Sequence, residues 1–471
     1  MSNTAPAPHS PQDEDIEHIA LDEDYVLTPG FVEKVVDAAD DGDGLKLRAL
    51  LEDLHPADVA DLMGFLTEQH RGVVVLWLPP ELLAETLPEL DDSIREEVLE
   101  RVPHGTLAEA LQELDSDDAA AVVEDLEDDQ REKVLAAMPE VDRAAIESSL
   151  GYAEDSAGRL MQREVMAAPQ FWNVGDTIDH IRKQGEELPE LFFDIYVVDP
   201  VNRPIGGVAV SQLLRSPRAT TLLDIMEPVN EIAVDQDQEE VAYIFEKYHL
   251  ISAPVIDAAG RLVGQITVDD IVNIIQEENR EDILRLAGVS DEDRGSSVSE
   301  IVRGRVPWLA INLATAALGA SVIGLFEGTI QQIVALAVLM PIVSAIGGNA
   351  GTQALTVTVR ALATRELNSA NAMRTFLREL AVGVANGLVL APLIGVAAGF
   401  WFRDEDWRIG LVIAAAMVLN LLVAATIGVL TPLTLSKFKF DPAVSSAVFV
   451  TATTDFFGFL IFLGLATLVL L

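Results

Sequence analysis

The chain has 471 residues, half of them hydrophobic, and a formal net charge of -45. Residues 1–300 carry 68 acidic and 21 basic side chains, whereas residues 301–471 carry 8 and 10. The acidic part excludes nucleic acid and anionic lipid headgroups as its partners, because both are bound by clustered lysine and arginine. It suits cations instead, and the lack of cysteine in the sequence excludes disulfides and thiolate metal sites.

The N-terminal stretch, "MSNTAPAPHSPQDEDIEHIALDEDY", has neither a basic start nor an apolar run. It therefore lacks the features of a signal peptide. Its low hydrophobicity and many carboxylates predict that residues 1–30 form a disordered acidic tail.

An apolar residue then recurs every twelve positions. The nine positions are Leu54, Leu66, Leu78, Leu90, Val102, Leu114, Leu126, Met138 and Leu150. Each is followed by a turn or cap signal and about two helical turns, as in "LHPADVADL" and "VPHGTLAEAL". Units this short cannot bury a face alone, so residues 31–155 are predicted to stack into an acidic α-superhelical domain. Most of its carboxylates are expected on a solvated face.

A second repeat has a different period. The segments "IYVVDPVNRPIGGVAVSQLL" and "APVIDAAGRLVGQITVDDIV" align without a gap at an offset of 58 residues. Both predict a strand, a turn, a strand and a helix, with charge and glycine in the turn. The pair resembles a tandem of CBS (cystathionine β-synthase) domains over residues 156–282. The resemblance implies an α/β module pair that often binds an adenosine nucleotide.

The two copies differ at the positions that this resemblance assigns to the nucleotide. In the second copy, Thr267 and Asp270 match the family's ribose and phosphate contacts, whereas the first copy has Ala209 and Gln212 there. The resemblance thus implies that ATP binds in the second cleft and not in the first. The alternative is a dimerisation module that binds no ligand.

The apolar part begins after a connector. Residues 283–306 combine a Gly- and Ser-rich break with a short helix, and we interpret them as a connector (plug) helix. The transmembrane domain is predicted over residues 307–471, with five runs long enough to cross a hydrocarbon core of about 30 Å. The runs lie at about residues 307–326, 331–359, 376–402, 409–432 and 443–471. Because their number is odd, the two chain ends are predicted on opposite sides.

Lysine and arginine in the short loops predict the orientation. One side collects Arg303, Arg305, Arg360, Arg365, Arg374, Arg378, Lys437 and Lys439. The other side has Arg403 and Arg408, mixed with three acidic residues. We therefore predict a multi-pass protein of the cell (inner) membrane, with its N-terminus cytoplasmic and its C-terminus outside.

The second apolar run contains helix breakers and amides, in the stretch "MPIVSAIGGNAGTQALTVTVR". These residues are Pro341, Gly347, Gly348, Asn349, Gly351 and Gln353. In lipid, a broken helix is tolerated where the freed backbone groups line a cavity or find protein partners. Glycines alone favour close helix packing, but with the amides beside them we expect a polar seam.

The fifth run contains "VFVTATTDFFGFLIF", in which Asp455 is the one acidic residue well inside an apolar run. A charged side chain at the middle of a membrane helix costs about 2.5–3.5 kcal/mol on insertion scales. A carboxylate kept at that position is typical of a site that faces water, an ion or a partner. The alternative is a helix-end residue at the membrane interface.

The order of these segments and two of their motifs resemble the MgtE family of magnesium channels. The motifs are "PIVSAIGGNAGTQ" and "TTDFFG". The resemblance covers residues 31–471 and implies a multidomain membrane protein with an N-terminal α-superhelix, an α/β tandem CBS pair, a connector helix and a five-span α-helical transmembrane domain. It also implies a homodimer whose pore binds Mg²⁺. The matching pore residues are Asp455, Asn349, Gly348, Gln353 and Thr451.

The resemblance also implies regulation. In the family, cytosolic Mg²⁺ closes the pore by binding between carboxylates of the helical domain, the CBS pair and the connector. The matching positions are Asp117, Asp118, Asp237, Glu239, Asp270, Glu278, Glu281 and Asp282. Without ions these groups repel one another, and neutralisation favours a compact state.

Two other classes of function stay open at this point. A proton- or sodium-coupled divalent-cation transporter is expected to carry an intramembrane acid or histidine beyond Asp455, and none stands out. A membrane-anchored nucleotide sensor is expected to keep both CBS clefts and has no use for Asp455. An enzyme is disfavoured, since the sequence shows no nucleophile with an adjacent base.

Overall fold

The computed structural model describes residues 20–185, 188–189, 191–289, 298–368, 370–403, 406–442 and 446–471. Most of the predicted tail, and residues 290–297 of the predicted connector, lie outside these ranges. The described residues form two compact units, the first up to Gln276 and the second from Glu277 onward.

Short helices build the N-terminal part of the first unit. They are Pro29–Asp40, Gly44–Leu51, Pro56–Phe65, Glu68–Val74, Pro80–Thr86, Asp92–Arg101, His104–Ala110, Ser116–Glu124, Asp128–Ala137 and Glu140–Ser149, with a 3₁₀ turn at Val75–Trp77. Pro56 and Pro80 start their helices, where the N–H that proline lacks has no intrahelical partner in any case.

The twelve-residue spacing is confirmed by burial. Seven of the nine positions belong to one hydrophobic core, and the other two, Leu114 and Leu150, pack against it partly buried. Several of them, among them Leu66 and Val102, stand directly after the end of a helix. Each repeat therefore ends in an apolar residue that lies in or against the shared core and anchors its short helix there.

Two α/β repeats complete the first unit. The first has strands β1 Ala167–Pro169, β2 Asp194–Val198 and β3 Pro204–Ala209, and helices Val174–Gln184, Val210–Arg215 and Leu222–Ile225. The second has strands β4 Ile232–Ala233, β5 Ser252–Ile256 and β6 Leu262–Thr267, and helices Ala157–Leu160, Gln238–Tyr248 and Val268–Ala287, the last of which runs on into the second unit from Glu277. In both sheets the middle strand pairs in parallel with the first strand and antiparallel with the third.

The offset of 58 residues holds strand for strand. Asp194 pairs with Ala209 in the first sheet, and Ser252 pairs with Thr267 in the second. Both sheets also shift register at the same place, just before the end of the middle strand. The predicted order of strand, turn, strand and helix is thus confirmed in both copies.

Five helices in the described part of the second unit are long and apolar enough to cross a membrane. They are the first to fifth spans: Val298–Leu325, Ala335–Ala363, Ala372–Trp401, Arg408–Lys437 and Ser446–Leu470, with a short helix at Glu327–Gln332 before the second. Their ends differ from the predicted runs by up to nine residues, because helical hydrogen bonding continues into polar residues that hydropathy leaves out. The chain is a multidomain, multi-pass membrane protein.

The second span is one continuous helix, so the expectation of a broken helix is wrong. Pro341 lies at an exposed position inside it. Its glycines allow close packing instead: a Cβ added to Gly347 would lie 2.1 Å from Asn420 Nδ2, and one on Gly351 would lie 2.5 Å from Val450 Cγ1. Small residues at such contacts let membrane helices approach closely.

Candidate ion-binding sites

Asp455 lies half-buried in the fifth span. The hydroxyl of Ser344, in the second span, donates a hydrogen bond of 2.5 Å to Asp455 Oδ1. A Cβ on Gly319, in the first span, would lie 3.9 Å from Asp455 Cβ. Three spans therefore meet at this carboxylate. Ser344 was not singled out from the sequence. The signal that could have found it is a small polar residue one helical turn before Gly347 and Gly348.

Two more of the predicted pore residues lie close to this carboxylate. A Cβ on Gly348 would lie 3.8 Å from Thr451 Cγ2, across the second and fifth spans, and Thr451 is one turn before Asp455. Asn349 and Gln353 stand one turn apart at exposed positions of the second span. The structure thus brings Gly348 and Thr451 together near Asp455 and places both amides on an exposed surface of the single chain.

Three carboxylates predicted to sense Mg²⁺ come together in the first unit. Asp117 and Asp118 open the helix Ser116–Glu124, and Asp270 stands in the first turn of another helix. Burial and then neighbouring carboxylates raise the pKa of Asp118 to about 6 and the pKa of Asp270 to about 7. Burial, with repulsion from Asp270 and Asp118, raises the pKa of Asp117 well above its ordinary value. Such surroundings favour a bound proton or cation.

A hydrogen-bond network holds the segments that carry these carboxylates. Ser116 Oγ donates to Glu164 Oε2 at 2.8 Å, and Gln162 Nε2 donates to Asp115 Oδ2 at 3.1 Å. Gln265 Nε2, on strand β6, donates to Gln162 Oε1 at 2.6 Å. Ser116, Gln162 and Gln265 are buried. These neutral groups keep the carboxylates close to one another although like charges repel.

The two predicted nucleotide contacts lie within the same region. Thr267 Oγ1 donates to Asp270 Oδ2 at 3.0 Å. The charges that raise the pKa of Asp270, after burial, are the carboxylates of Asp269 and Asp118. Because like charges repel, these surroundings favour a cation over a polyphosphate at Asp270.

A second group of carboxylates lies in the second unit. Burial, and then repulsion from Asp441 and Glu278, raises the pKa of Asp282 to about 6. Arg285 forms ion pairs with Glu281 and, at 2.7 Å, with Asp441 Oδ2. The predicted sensor residues Glu278, Glu281 and Asp282, at the end of the predicted CBS segment, are thus joined by Asp441, from the loop before the fifth span. The sequence offered a weak signal for Asp441, an acid among the basic residues of "SKFKFDP".

The last two predicted sensor residues stand at the start of the helix Gln238–Tyr248. Asp237 caps this helix, and its Oδ1 accepts the N–H of Glu239 at 3.0 Å. Within the described residues, no three Asp, Glu or His side chains have the arrangement of a metal site. The carboxylates described above fit Mg²⁺ by the chemistry of their oxygen donors, because Mg²⁺ binds through one or two carboxylates and keeps several waters.

Comparison with known proteins decides the family. The chain is 35% identical over 444 residues to the magnesium transporter MgtE of Thermus thermophilus, which covers 92% of this chain and 97% of that protein. The chain belongs to the MgtE family. The magnesium transporter MgtE of Bacillus subtilis is 30% identical over 431 residues, covering 91% of this chain and 94% of that protein.

Family models divide this MgtE chain in the predicted order. An MgtE intracellular N domain matches residues 54–155, a CBS domain matches residues 223–277, and a divalent cation transporter domain matches residues 340–465. A solved cytosolic domain of the Mg²⁺ channel MgtE, in complex with ATP, is 34% identical and covers 52% of this chain and 99% of that one, with a TM-score of 0.49. The predicted membership of the MgtE family is confirmed.

Proposed function

We propose that this chain takes up Mg²⁺ through a membrane pore that contains Asp455, and that Mg²⁺ bound to its acidic cytosolic part closes the pore. The observation that carries the proposal is the Asp455 carboxylate, which lies within an apolar span and accepts a hydrogen bond from Ser344 of another span. The MgtE relatives that cover nearly the whole chain are described as magnesium transporters, which supports the identity of the ion.

The chemistry of Mg²⁺ fits one carboxylate per chain. Mg²⁺ dehydrates reluctantly, so it usually keeps several waters and binds through one or two carboxylates. In a homodimer, Asp455 supplies two. Hydroxyl, amide and backbone oxygens of the other proposed pore residues then contact the hydrated ion. These residues are Gly348, Asn349, Gln353 and Thr451.

A homodimer is part of the proposal because polar side chains of the second span are exposed in the single chain. Asn349 and Gln353 are two of them. In the first span, 11% of the most apolar stretch is buried. Lipid cannot satisfy amide groups. A second chain packed on this surface, or water between two chains, satisfies them.

The proposal includes an orientation in the cell membrane. Eight lysines and arginines on one side of the spans support a cytoplasmic acidic part and a C-terminus outside, because basic residues collect in cytoplasmic loops. Substrate ions then cross without a chemical step, and we assign no enzymatic activity to the chain.

The regulatory half of the proposal rests on the two groups of carboxylates. Asp117, Asp118 and Asp270 face one another in the first unit, and Asp282 faces Asp441 in the second. An ion that binds between carboxylates favours the arrangement that brings them together. A coupling of about 1–3 kcal/mol per effector site is ordinary. Several sites together reach the shift of about 5.5 kcal/mol that turns a mostly open population into a mostly closed one.

The remaining predicted sensor residues extend these groups. Glu278 and Glu281 lie beside Asp282 on the same helix. Asp237 and Glu239, which share the helix cap, are assigned to the sensor by the family resemblance.

Flux into liposomes tests the proposal. The full chain is reconstituted, and uptake of Mg²⁺, Mn²⁺, Co²⁺ and Ca²⁺ is followed with and without a pH gradient. Wild type should take up Mg²⁺, Asp455→Ala should not, and Glu327→Gln, an exposed carboxylate at the edge of the membrane part, should match wild type. Uptake by folded Asp455→Ala contradicts the pore assignment. Uptake that requires the pH gradient supports a coupled transporter instead of a channel.

The second CBS cleft remains the proposed place for ATP. The cleft offers the hydroxyl of Thr267, which is hydrogen-bonded to Asp270, and a cation bound at Asp270 would offset the repulsion between its carboxylate and the phosphates. Calorimetry with millimolar ATP should give one ATP per chain, and Thr267→Ala should abolish the binding. Absence of heat in wild type assigns the cleft a structural role.

A further inference from the structure

Asn420 is a fully buried polar side chain of the fourth span. Its Nδ2 donates a hydrogen bond of 3.0 Å to the carbonyl of Val343, in the second span. Its Oδ1 is buried without a hydrogen-bond partner, which holds for no other side-chain atom in the described parts of the spans. A buried acceptor left unpaired destabilises a fold. Stability alone therefore favours an apolar residue at this position.

The amide of Asn420 is wedged between two other spans. A Cβ on Gly347 would lie 2.1 Å from Asn420 Nδ2, and a Cβ on Gly458, in the fifth span, would lie 2.9 Å from the same atom. Any side chain at Gly347 thus forces the amide to move. The two glycines let both helices rest directly on this amide.

These two contacts lie one helical turn from the proposed pore pair. Gly347 follows Ser344 by three residues, and Gly458 follows Asp455 by three residues. The hydrogen bond from Ser344 to Asp455 therefore connects the same two helices, at the level where the amide of Asn420 separates them. We therefore expect a change at Asn420 to shift one helix against the other and to displace Asp455 and its hydrogen-bond donor Ser344.

We propose that Asn420 is a positioning residue of the ion path: it fixes the spacing of the second and fifth spans and thereby sets the discrimination between Mg²⁺ and the larger Ca²⁺ at Asp455. The inference rests on the proposed function. Hydrated Mg²⁺ holds its waters in near-ideal octahedral geometry, whereas Ca²⁺ accepts longer and more variable contacts, so a spacing that fits the hydrated ion and is then loosened affects Mg²⁺ more. Groups that orient a metal ligand without touching the metal change affinity or activity by about 10–100-fold when they are removed.

The principal test is Asn420→Leu in the full chain, reconstituted in liposomes. Leucine has a similar volume, and it removes both the hydrogen bond and the unpaired oxygen. The readout is the ratio of initial uptake rates for Mg²⁺ and Ca²⁺ at equal concentrations, because this ratio does not depend on the amount of folded protein. We expect the ratio to fall about tenfold. A wild-type ratio overturns the inference.

Two glycine variants sharpen this test. Gly347→Ala pushes the amide away from Val343 and should lower the ratio in the same direction as Asn420→Leu. Gly464→Ala is the matched control, because a Cβ there meets nothing within 4 Å, and it should keep the wild-type ratio. A wild-type ratio in Gly347→Ala contradicts the inference.

A second readout does not depend on flux. The chain has no cysteine, so a Gly348→Cys/Thr451→Cys pair reports the spacing of the two spans through its rate of oxidative cross-linking. Asn420→Leu should slow this rate, and an unchanged rate overturns the inference.

If wild type transports no Mg²⁺, the proposed function fails, and the cross-linking rate still decides whether Asn420 sets the spacing. If Asn420→Leu does not fold, Asn420→Ala, which removes the amide and adds no larger group, is judged by the same outcomes.

Discussion

The proposed pore and the proposed sensor use the same chemical group in opposite surroundings. In the membrane, the Asp455 carboxylate accepts a hydrogen bond from a neutral hydroxyl. In the first unit, Asp117, Asp118 and Asp270 lie where burial and mutual repulsion raise the pKa of each. A single carboxylate per chain binds an ion without drawing other acidic groups of that chain together. Three neighbouring carboxylates repel one another, and a bound cation reduces that repulsion. Ion passage and its regulation therefore depend on different carboxylates, and variants can abolish either one separately.

The largest effect is expected from Asp455→Asn. This change keeps the shape of the side chain and removes its charge, so Mg²⁺ uptake into liposomes should fall below detection. The sensor carboxylates are untouched, so Mg²⁺ should still protect the cytosolic part from protease as in wild type. Loss of that protection in a folded variant contradicts the separation of the two regions.

Neutralising the sensor should have the opposite consequence. In Asp117→Asn/Asp118→Asn/Asp270→Asn, uptake should persist at millimolar internal Mg²⁺. The internal concentration that halves uptake should rise by about 5–150-fold, the range that corresponds to a coupling of 1–3 kcal/mol.

A matched variant controls for net charge in this experiment. Glu127→Gln/Asp128→Asn/Asp129→Asn removes three exposed carboxylates of the same helical region. It should close at the wild-type Mg²⁺ concentration. If both triple variants shift equally, the sensor responds to overall charge and not to the grouped carboxylates.

The pH dependence of thermal stability also distinguishes the two regions, with a smaller expected effect. The pKa of Asp118 is raised to about 6 and that of Asp270 to about 7, from an ordinary value of 3.8. Between about pH 4 and pH 7 the folded chain therefore holds protons that the unfolded chain releases, and the stability that these groups contribute falls as the pH rises. Without Mg²⁺, the first unit should unfold at a lower temperature at pH 8 than at pH 6, and Mg²⁺ should reduce this difference.

Scanning calorimetry of the full chain in detergent measures this pH effect. The triple Asn variant of the sensor supplies the control, because it lacks the groups that titrate. An equal pH dependence in that variant and in wild type assigns the effect to other carboxylates.

The smallest effect is expected at Arg285. Its guanidinium pairs with Glu281 and Asp441, which are partly exposed. Because Arg285→Gln removes one positive charge from beside both carboxylates, the internal Mg²⁺ that halves uptake should fall. Pairs of this exposure contribute about 0.2–1 kcal/mol, so the shift should be fivefold or less. Arg261→Gln, which breaks a similar pair with Asp257, should leave the concentration unchanged; a rise in Arg285→Gln indicates that Arg285 itself holds the closed state.

Sequence reasoning succeeded where a feature repeats or stands out against its surroundings. The twelve-residue spacing, the offset of 58 residues and the apolar runs each rest on many positions, so a single exception does not hide them. Asp455 stood out as an acid within an apolar run. The sequence did not show whether the glycines of the second span break the helix or allow close packing. In the structure, Gly347 and Gly351 pack closely against Asn420 and Val450 in an unbroken helix.

The neutral partners could not be predicted from the sequence. Ser344, Gln162, Gln265 and Asn420 belong to common residue types, and their roles depend on which helices and strands become neighbours. A hydrogen bond between Gln162 and Gln265 joins positions 103 residues apart. No local pattern records such a pairing, and only the tertiary fold reveals it.

The two α/β repeats keep one strand register although their helix starts have diverged. The register and the helix start are under different physical constraints. The sheet tolerates little change, because a slip of one residue turns every side chain to the opposite face. The first turn of the following helix is free to change, and Asp270 occupies it in one copy while Gln212 occupies it in the other. A chain built in this way can gain or lose an ion-responsive element by single substitutions at that turn, without redesign of the scaffold beneath it.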